Sequence, residues 1–299
     1  MRLTVWRFLD GNRAHEKQSA ALVSGLRECA GAAVECHDIP APGGLALVRS
    51  GLPANLRELP PPDLIIGAGH RTHLALLLAR RQFGGLTVVI MRPSLPLRWF
   101  DFAIIPEHDR PPPLANVILS QGALTEPLPC GRIRPGRGLI LLGGPSKHFA
   151  WDAAGVRSAV NSLLETPGQW VVSDSRRTPA GTLEGLDTGG AELCHWRDCP
   201  PGWLADQLAQ AEQIWVTGDS VSMLFEALQS EAQVGVIQLP SRRPANKVRA
   251  AVQRLLDQGL VTDRLADAAR AGVRPPRPPL GQQVACARAL LRRCPRLGE

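Results

Sequence analysis

Val216-Thr217-Gly218-Asp219-Ser220-Val221-Ser222-Met223-Leu224-Phe225-Glu226-Ala227 decides the fold of this chain. An apolar run, Ile214-Trp215-Val216, ends in a small polar turn and enters an amphipathic stretch. A second apolar run, Val234-Gly235-Val236-Ile237, follows. The order is strand, loop, helix, strand, with the polar residues gathered at the carboxyl end of a strand. Open parallel sheets bind ligands at that edge, and a helix amino terminus there favours phosphate. Ser222 and Glu226 are four apart and so share one face of the helix. From that face a carboxylate could accept hydrogen bonds from two ribose hydroxyls. Asp219 and Ser220 are equally the residue types that cap helices.

Two further turns have the same character. The run 139–142 ends in Gly143-Gly144-Pro145-Ser146-Lys147-His148. Its glycines would let a phosphate approach the backbone, and Ser146 and Lys147 add a donor and a charge. The spacing is not that of a Walker A loop. Ser175-Arg176-Arg177-Thr178 follows the strand-like run 170–173, and arginine offers bidentate recognition of phosphate. A solvated surface turn is the alternative.

The chain has 299 residues, of which 44% are hydrophobic and 20% charged. That suits two cores of about 100–150 residues each and argues against disorder. No apolar run approaches the roughly 18–20 residues of a membrane span, and the start is polar too soon for a signal peptide. A cytoplasmic protein is expected. Seven cysteines without a C-x-x-C pair read as free thiols. Cys194-His195-x-x-x-Cys199 has metal-ligand residue types but no second half, so no metal site is assigned. The net charge of +7 suggests an anionic partner. Without tyrosine and with 4% aromatics the chain would offer poor stacking platforms for single strands, which argues against nucleic acid. An anionic membrane surface, met peripherally, fits the charge as well, and so does a solvated basic face.

Strand-like runs at 3–8, 63–66, 86–90 and 102–105 alternate with helical stretches at 17–30 and 72–82. That pattern predicts a mainly parallel sheet. Proline and arginine dominate 127–137, which reads as an interdomain linker. A second alternation follows: strands at 139–142, 170–173, 214–216 and 234–239, helices at 151–164, 246–258 and 265–271. Arg274-Pro275-Pro276-Arg277-Pro278-Pro279 reads as a stiff connector to a closing helix, 282–293. The expected domains are 1–130 and 138–272, with a terminal helix in 280–299.

The blocks Thr217–Met223 with Glu226-Ala227, Leu141–His148, Ser175–Pro179, and Phe100-Asp101 with Pro106-Glu107-His108-Asp109 resemble the family named for mitochondrial-fission (elongated-mitochondria) proteins. The resemblance runs in order from about residue 6 to 254. That family is similar to glycosyltransferases of the GT-B architecture. It implies an α/β fold of two Rossmann-like domains facing across a cleft, with a nucleotide-sugar site in the second and an acceptor site in the first.

On that basis the donor-binding candidates are Gly143, Gly144, Ser146, Lys147, Ser175, Arg176, Arg177, Thr217, Gly218, Asp219, Ser220, Ser222 and Glu226. In the first domain, the loop Asp10-Gly11-Asn12-Arg13-Ala14-His15-Glu16-Lys17-Gln18 joins strand to helix, with Ala14 where the family has glycine. The resemblance implies His15 as general base, with Asp109 as the alternative. Gly11, Gln18, Gly69 and His108 are expected to line the cleft. Glu107-His108-Asp109 is the nearest approach to a metal-holding pair, but the resemblance favours a metal-independent enzyme. No cofactor is expected beyond a nucleotide-sugar co-substrate. The acceptor would be a hydroxyl, with a lipid-linked one among the candidates. A nucleotide-sugar epimerase and a non-catalytic scaffold are the rival readings.

Overall fold

A computed structural model describes residues 2–129, 133–243, 246–273 and 277–294. The chain divides into two compact units: residues 1–127 with 281–299, and residues 128–280.

The first unit opens with β1 (Arg2–Leu9), α1 (Arg13–Cys29), β2 (Ala33–Pro40) and α2 (Gly44–Ser50). It continues through β3 (Leu64–Ala68), α3 (His73–Phe83), β4 (Leu86–Ile90), β5 (Phe102–Pro106) and β6 (Val117–Ser120). The six strands are parallel in the order β2-β1-β3-β4-β5-β6. β3 and β5 are buried along their whole length, as strands covered on both faces must be. Side chains alternate between two cores. Val5, Leu64, Ile66 and Val88 meet α1 on one face; Trp6, Phe8, Ile65 and Val89 meet α3 on the other.

β2 was not legible as a strand because Glu35, His37 and Asp38 interrupt its apolar pattern. It lies at the sheet edge, pairs only with β1, and its charges find partners there: Arg2 with Glu35 at 2.6 Å, and Arg7 with Asp38.

The second unit holds β7 (Arg137–Leu141), α4 (Ala153–Leu164), β8 (Gln169–Ser173), β9 (Glu192–Cys194) and α5 (Trp203–Gln210). Then come β10 (Gln213–Thr217), α6 (Val221–Ala227), β11 (Gln233–Ile237) and α7 (Lys247–Asp257). The parallel order is β11-β10-β7-β8-β9. The chain starts at the middle strand β7, builds outward to β9, then returns to β10 on the other side. The crevice between β7 and β10 is therefore the topological switch point, where such sheets bind ligands. The stretch expected to be helical at 265–271 is a 3-10 helix, Leu265–Val273.

The proline- and arginine-rich stretch is partly ordered against this unit. Leu128 packs on its core, and the Arg134 N–H donates to the Gln210 carbonyl at 2.9 Å. Residues 130–132 of that stretch, and 274–276 of the expected connector, lie outside the described residues.

The closing helix α8 (Gln282–Arg293) belongs to the first unit. It buries Gln283, Cys286, Ala287 and Leu290, spaced as one helical face. Gly25 of α1 lets it approach closely, since a Cβ there would lie 2.3 Å from the Gln283 carbonyl oxygen. Among the described residues no helix is long and apolar enough to cross a membrane.

Candidate functional site

In the first unit the chain leaves β1 and turns through Asp10-Gly11-Asn12 into α1. The Asn12 side chain caps the helix by accepting the Ala14 N–H at 3.0 Å. Asp10 Oδ1 accepts the Asn12 N–H at 2.9 Å, and the Gly11 N–H donates to Glu16 Oε1 at 3.0 Å. This web fixes the first helical turn and sets His15 Nδ1 2.7 Å from Asp10 Oδ2. The Asp10 side chain is 4% exposed and that of His15 24%. An ionised carboxylate can only accept, so Nδ1 is the nitrogen that carries a proton towards Asp10, and in the neutral ring Nε2 is then the acceptor. Ala14 is exposed in the first turn of α1.

Gly69, at the end of the adjacent strand β3, has a φ of 84°. A Cβ there would sit 2.3 Å from both Asp10 Oδ2 and His15 Nδ1. Glycine at this position is thus a condition for the dyad. Arg71 Nη1 also donates to the Asp10 carbonyl at 3.3 Å. Gln18, one turn beyond His15, is buried with its Nε2 3.3 Å from the Met91 sulfur. His108 and Asp109 occupy a 3-10 turn after β5. Three strand spacings separate β1 from β5, about 14 Å at the usual interval. The two candidate bases, His15 and Asp109, are therefore not gathered. The residue that joins His15 is Asp10, which the sequence analysis did not single out. Its signal was an Asp and a His flanking an Asn helix cap.

In the second unit three turns close on one another beside the switch point. The Gly143 N–H donates to Thr217 Oγ1 at 2.7 Å, and the Gly144 N–H to Asp219 Oδ2 at 3.0 Å. Arg177 Nη2 lies 2.7 Å from the same Asp219 oxygen, and its Nη1 donates to the Gly144 carbonyl at 3.0 Å. Ser175 Oγ donates to the Gly143 carbonyl at 3.2 Å, and the Thr178 hydroxyl donates to it as well. The Asp219 side chain is fully buried, and Arg177 is 41% exposed.

Close packing around the two glycines explains why no larger residue stands there. A Cβ on Gly143 would lie 2.4 Å from the Asp219 carboxylate, and one on Gly144 would lie 2.0 Å from the Arg177 carbonyl oxygen. Both positions are therefore closed to a side chain, and both N–H groups donate within the protein, to Thr217 and Asp219. Ser220 occupies the N-cap position of α6 without a side-chain capping bond, and Asp219 reaches Gly144 and Arg177 instead of capping. The Gly218 N–H is bonded to the Ile237 carbonyl at 2.9 Å. Ser146 Oγ accepts the N–H groups of His148 and Phe149, both at 3.2 Å, within its own turn. Lys147, Arg176 and Ser222 are exposed, and Glu226 is half-buried on α6. Among the described residues no three His, Cys, Asp or Glu side chains gather as a metal ion would require.

A solved UDP-N-acetylglucosamine 2-epimerase is 13% identical, aligns over 97% of this chain and 95% of its own, and superposes with a TM-score of 0.51. The calicheamicin glycosyltransferase CalG4 is 12% identical over 100% of this chain and 99% of its own, with a TM-score of 0.46. At this identity the epimerase likeness is one of fold: two parallel α/β units, as the GT-B resemblance implies. Among curated proteins, the uncharacterized protein RP120 of Rickettsia prowazekii (strain Madrid E) is 44% identical over 50 residues. That match spans 16% of this chain and 14% of the relative. The sequence profile of the mitochondrial fission ELM1 family matches residues 14–294. With nearly its whole length matched, the chain belongs to the mitochondrial fission ELM1 family.

Proposed function

We propose that the protein transfers a sugar from a nucleotide-sugar to a hydroxyl acceptor, with the donor held by the second unit. The observation that carries this reading is the Asp10–His15 dyad at the carboxyl edge of the first sheet. An imidazole held through Nδ1, with its side chain partly exposed, suits removal of one proton from an external hydroxyl. His15 Nε2 takes the acceptor's proton as the acceptor oxygen bonds to the sugar carbon and the bond to the diphosphate breaks. Asp10 orients the ring and stabilises the imidazolium. Arg177, Arg176, Lys147 and Ser222 receive the departing charge. Glu226 accepts hydrogen bonds from the ribose hydroxyls. The backbone of Gly143 and Gly144, with Thr217, Ser175 and Asp219, shapes the turn without touching the phosphates.

The test is thermal stability against a panel of nucleotides and nucleotide-sugars. A ligand at about 100 times its dissociation constant stabilises by roughly 2.7 kcal/mol. Selective stabilisation by one nucleotide, lost in Glu226→Ala, is the expected result. Turnover should then need an acceptor and fall about 10²–10⁴-fold in His15→Ala with nucleotide affinity retained. Turnover of the nucleotide-sugar alone would instead identify an epimerase. An absence of stabilisation by every nucleotide would point to a scaffold.

A further inference from the structure

The second unit carries a thiol pair at the carboxyl end of its edge strand β9. Cys194 closes that strand and Cys199 ends the loop His195-Trp196-Arg197-Asp198 that follows it. Their sulfurs are 2.8 Å apart, under an ångström beyond the disulfide bond length of about 2.0 Å. Both thiols lie over the His195 carbonyl oxygen, at 4.0 and 3.4 Å, which holds them on one side of the loop. The loop is anchored to the neighbouring strand. The Trp196 N–H donates to Asp174 Oδ1 at 2.7 Å, and His195 Nε2 lies 3.4 Å from Asp174 Oδ2. Asp174 directly precedes the Ser175–Thr178 turn, which is bonded to Gly143 and Asp219.

We propose that Cys194 and Cys199 form a reversible disulfide that locks this loop onto Asp174. The oxidant is a low-molecular-weight disulfide of the glutathione class. The Cys199 thiolate attacks one of its sulfurs, forming a mixed disulfide and releasing one small thiolate. Cys194 then attacks the Cys199 sulfur, the ring closes, and the second small thiolate leaves. The two protons lost by the protein thiols go to the two released thiolates, so one protein dithiol is oxidised as one small disulfide is reduced. Burial and the neighbouring Cys199 thiol push Cys194 up to about 12, so Cys194 is the poorer first nucleophile and serves as the resolving thiol. Cys29, Cys36, Cys286 and Cys294 have no cysteine partner among the described residues.

The experiment incubates the full chain with excess oxidised over reduced glutathione, blocks the remaining thiols by alkylation, and maps tryptic peptides by mass. Trypsin cuts after Arg197, between the two cysteines, so the disulfide joins two peptides that reduction separates. The joined pair, absent in Cys194→Ser and Cys199→Ser and reversed by dithiothreitol, is the expected result. Amide exchange at Trp196 should slow at least severalfold in the oxidised protein. Alkylation of both cysteines after oxidation, or a mixed disulfide that persists without closing, overturns the pairing. A joined pair with unchanged exchange at Trp196 overturns the lock.

Discussion

Asp219→Ala tests the interlocked turns of the second unit most directly. The substitution removes the acceptor of the buried Gly144 N–H, and an unsatisfied buried donor costs about 1–3 kcal/mol. It also removes the partner of Arg177. That guanidinium is 41% exposed and keeps the Gly144 carbonyl, so water can replace the carboxylate and this loss adds at most about 1 kcal/mol. Against both stands relief from burying a carboxylate whose Oδ1 has no hydrogen-bond partner among the described residues, which offsets part of the cost. The net expectation is about 2 kcal/mol. For a domain of this size that is a fall of about 4–8 °C in Tm.

Urea unfolding followed by tryptophan fluorescence and circular dichroism would measure the difference. Asp219→Asn keeps an oxygen for the Gly144 N–H and should cost less than alanine. A double-mutant cycle with Arg177→Ala should show coupling above about 0.5 kcal/mol. The reasoning is refuted if Asp219→Ala unfolds within about 0.5 kcal/mol of the parent, or if asparagine is as damaging as alanine.

Other outcomes follow from the first unit. Gly69→Ala should disrupt the Asp10–His15 pair, because its methyl group would overlap both side chains and the φ of 84° strains any L-residue. Turnover should fall as far as in His15→Ala, and preserved activity would break the link between Gly69 and the dyad. His73 should make stability depend on pH. Burial, with a smaller contribution from His70, lowers it from 6.5 to about 4. Above about pH 6.5 both states hold a neutral ring. As pH falls from 6.5 towards 4 the unfolded chain binds a proton that the native state refuses, and stability drops by up to about 1.4 kcal/mol per pH unit. His73→Gln should flatten that slope in urea unfolding across the window, and an unchanged slope would assign it to other groups.

Both alternations of strand and helix were legible because parallel strands covered on two faces must be continuously apolar, as Leu64–Ala68 and Gln213–Thr217 nearly are. The edges were not legible. β2 carries charges that make sense only opposite Arg2 and Arg7 of β1, and β9 spans three residues with an exposed Leu193. The site turns could be located from small polar residues after apolar runs. Their partners could not, because Arg177 and Asp219 meet only once β8 and β10 are placed on either side of β7. Asp10 escaped notice for a different reason. Five residues in sequence say nothing of distance until the Asn12 cap folds the chain back on itself.

The return of α8 to the first unit gives this protein an order of assembly. During synthesis the ribosome emits β1–β6, then all of the second unit, and only afterwards the helix that covers Leu22 and Leu26 of α1. Until then the nascent first unit exposes an apolar face, while the second unit has everything it needs to fold. The later segment should then mature first, reversing the usual sequence in which amino-terminal domains complete themselves during translation. Chaperone demand should therefore centre on the face that awaits Cys286, Ala287 and Leu290.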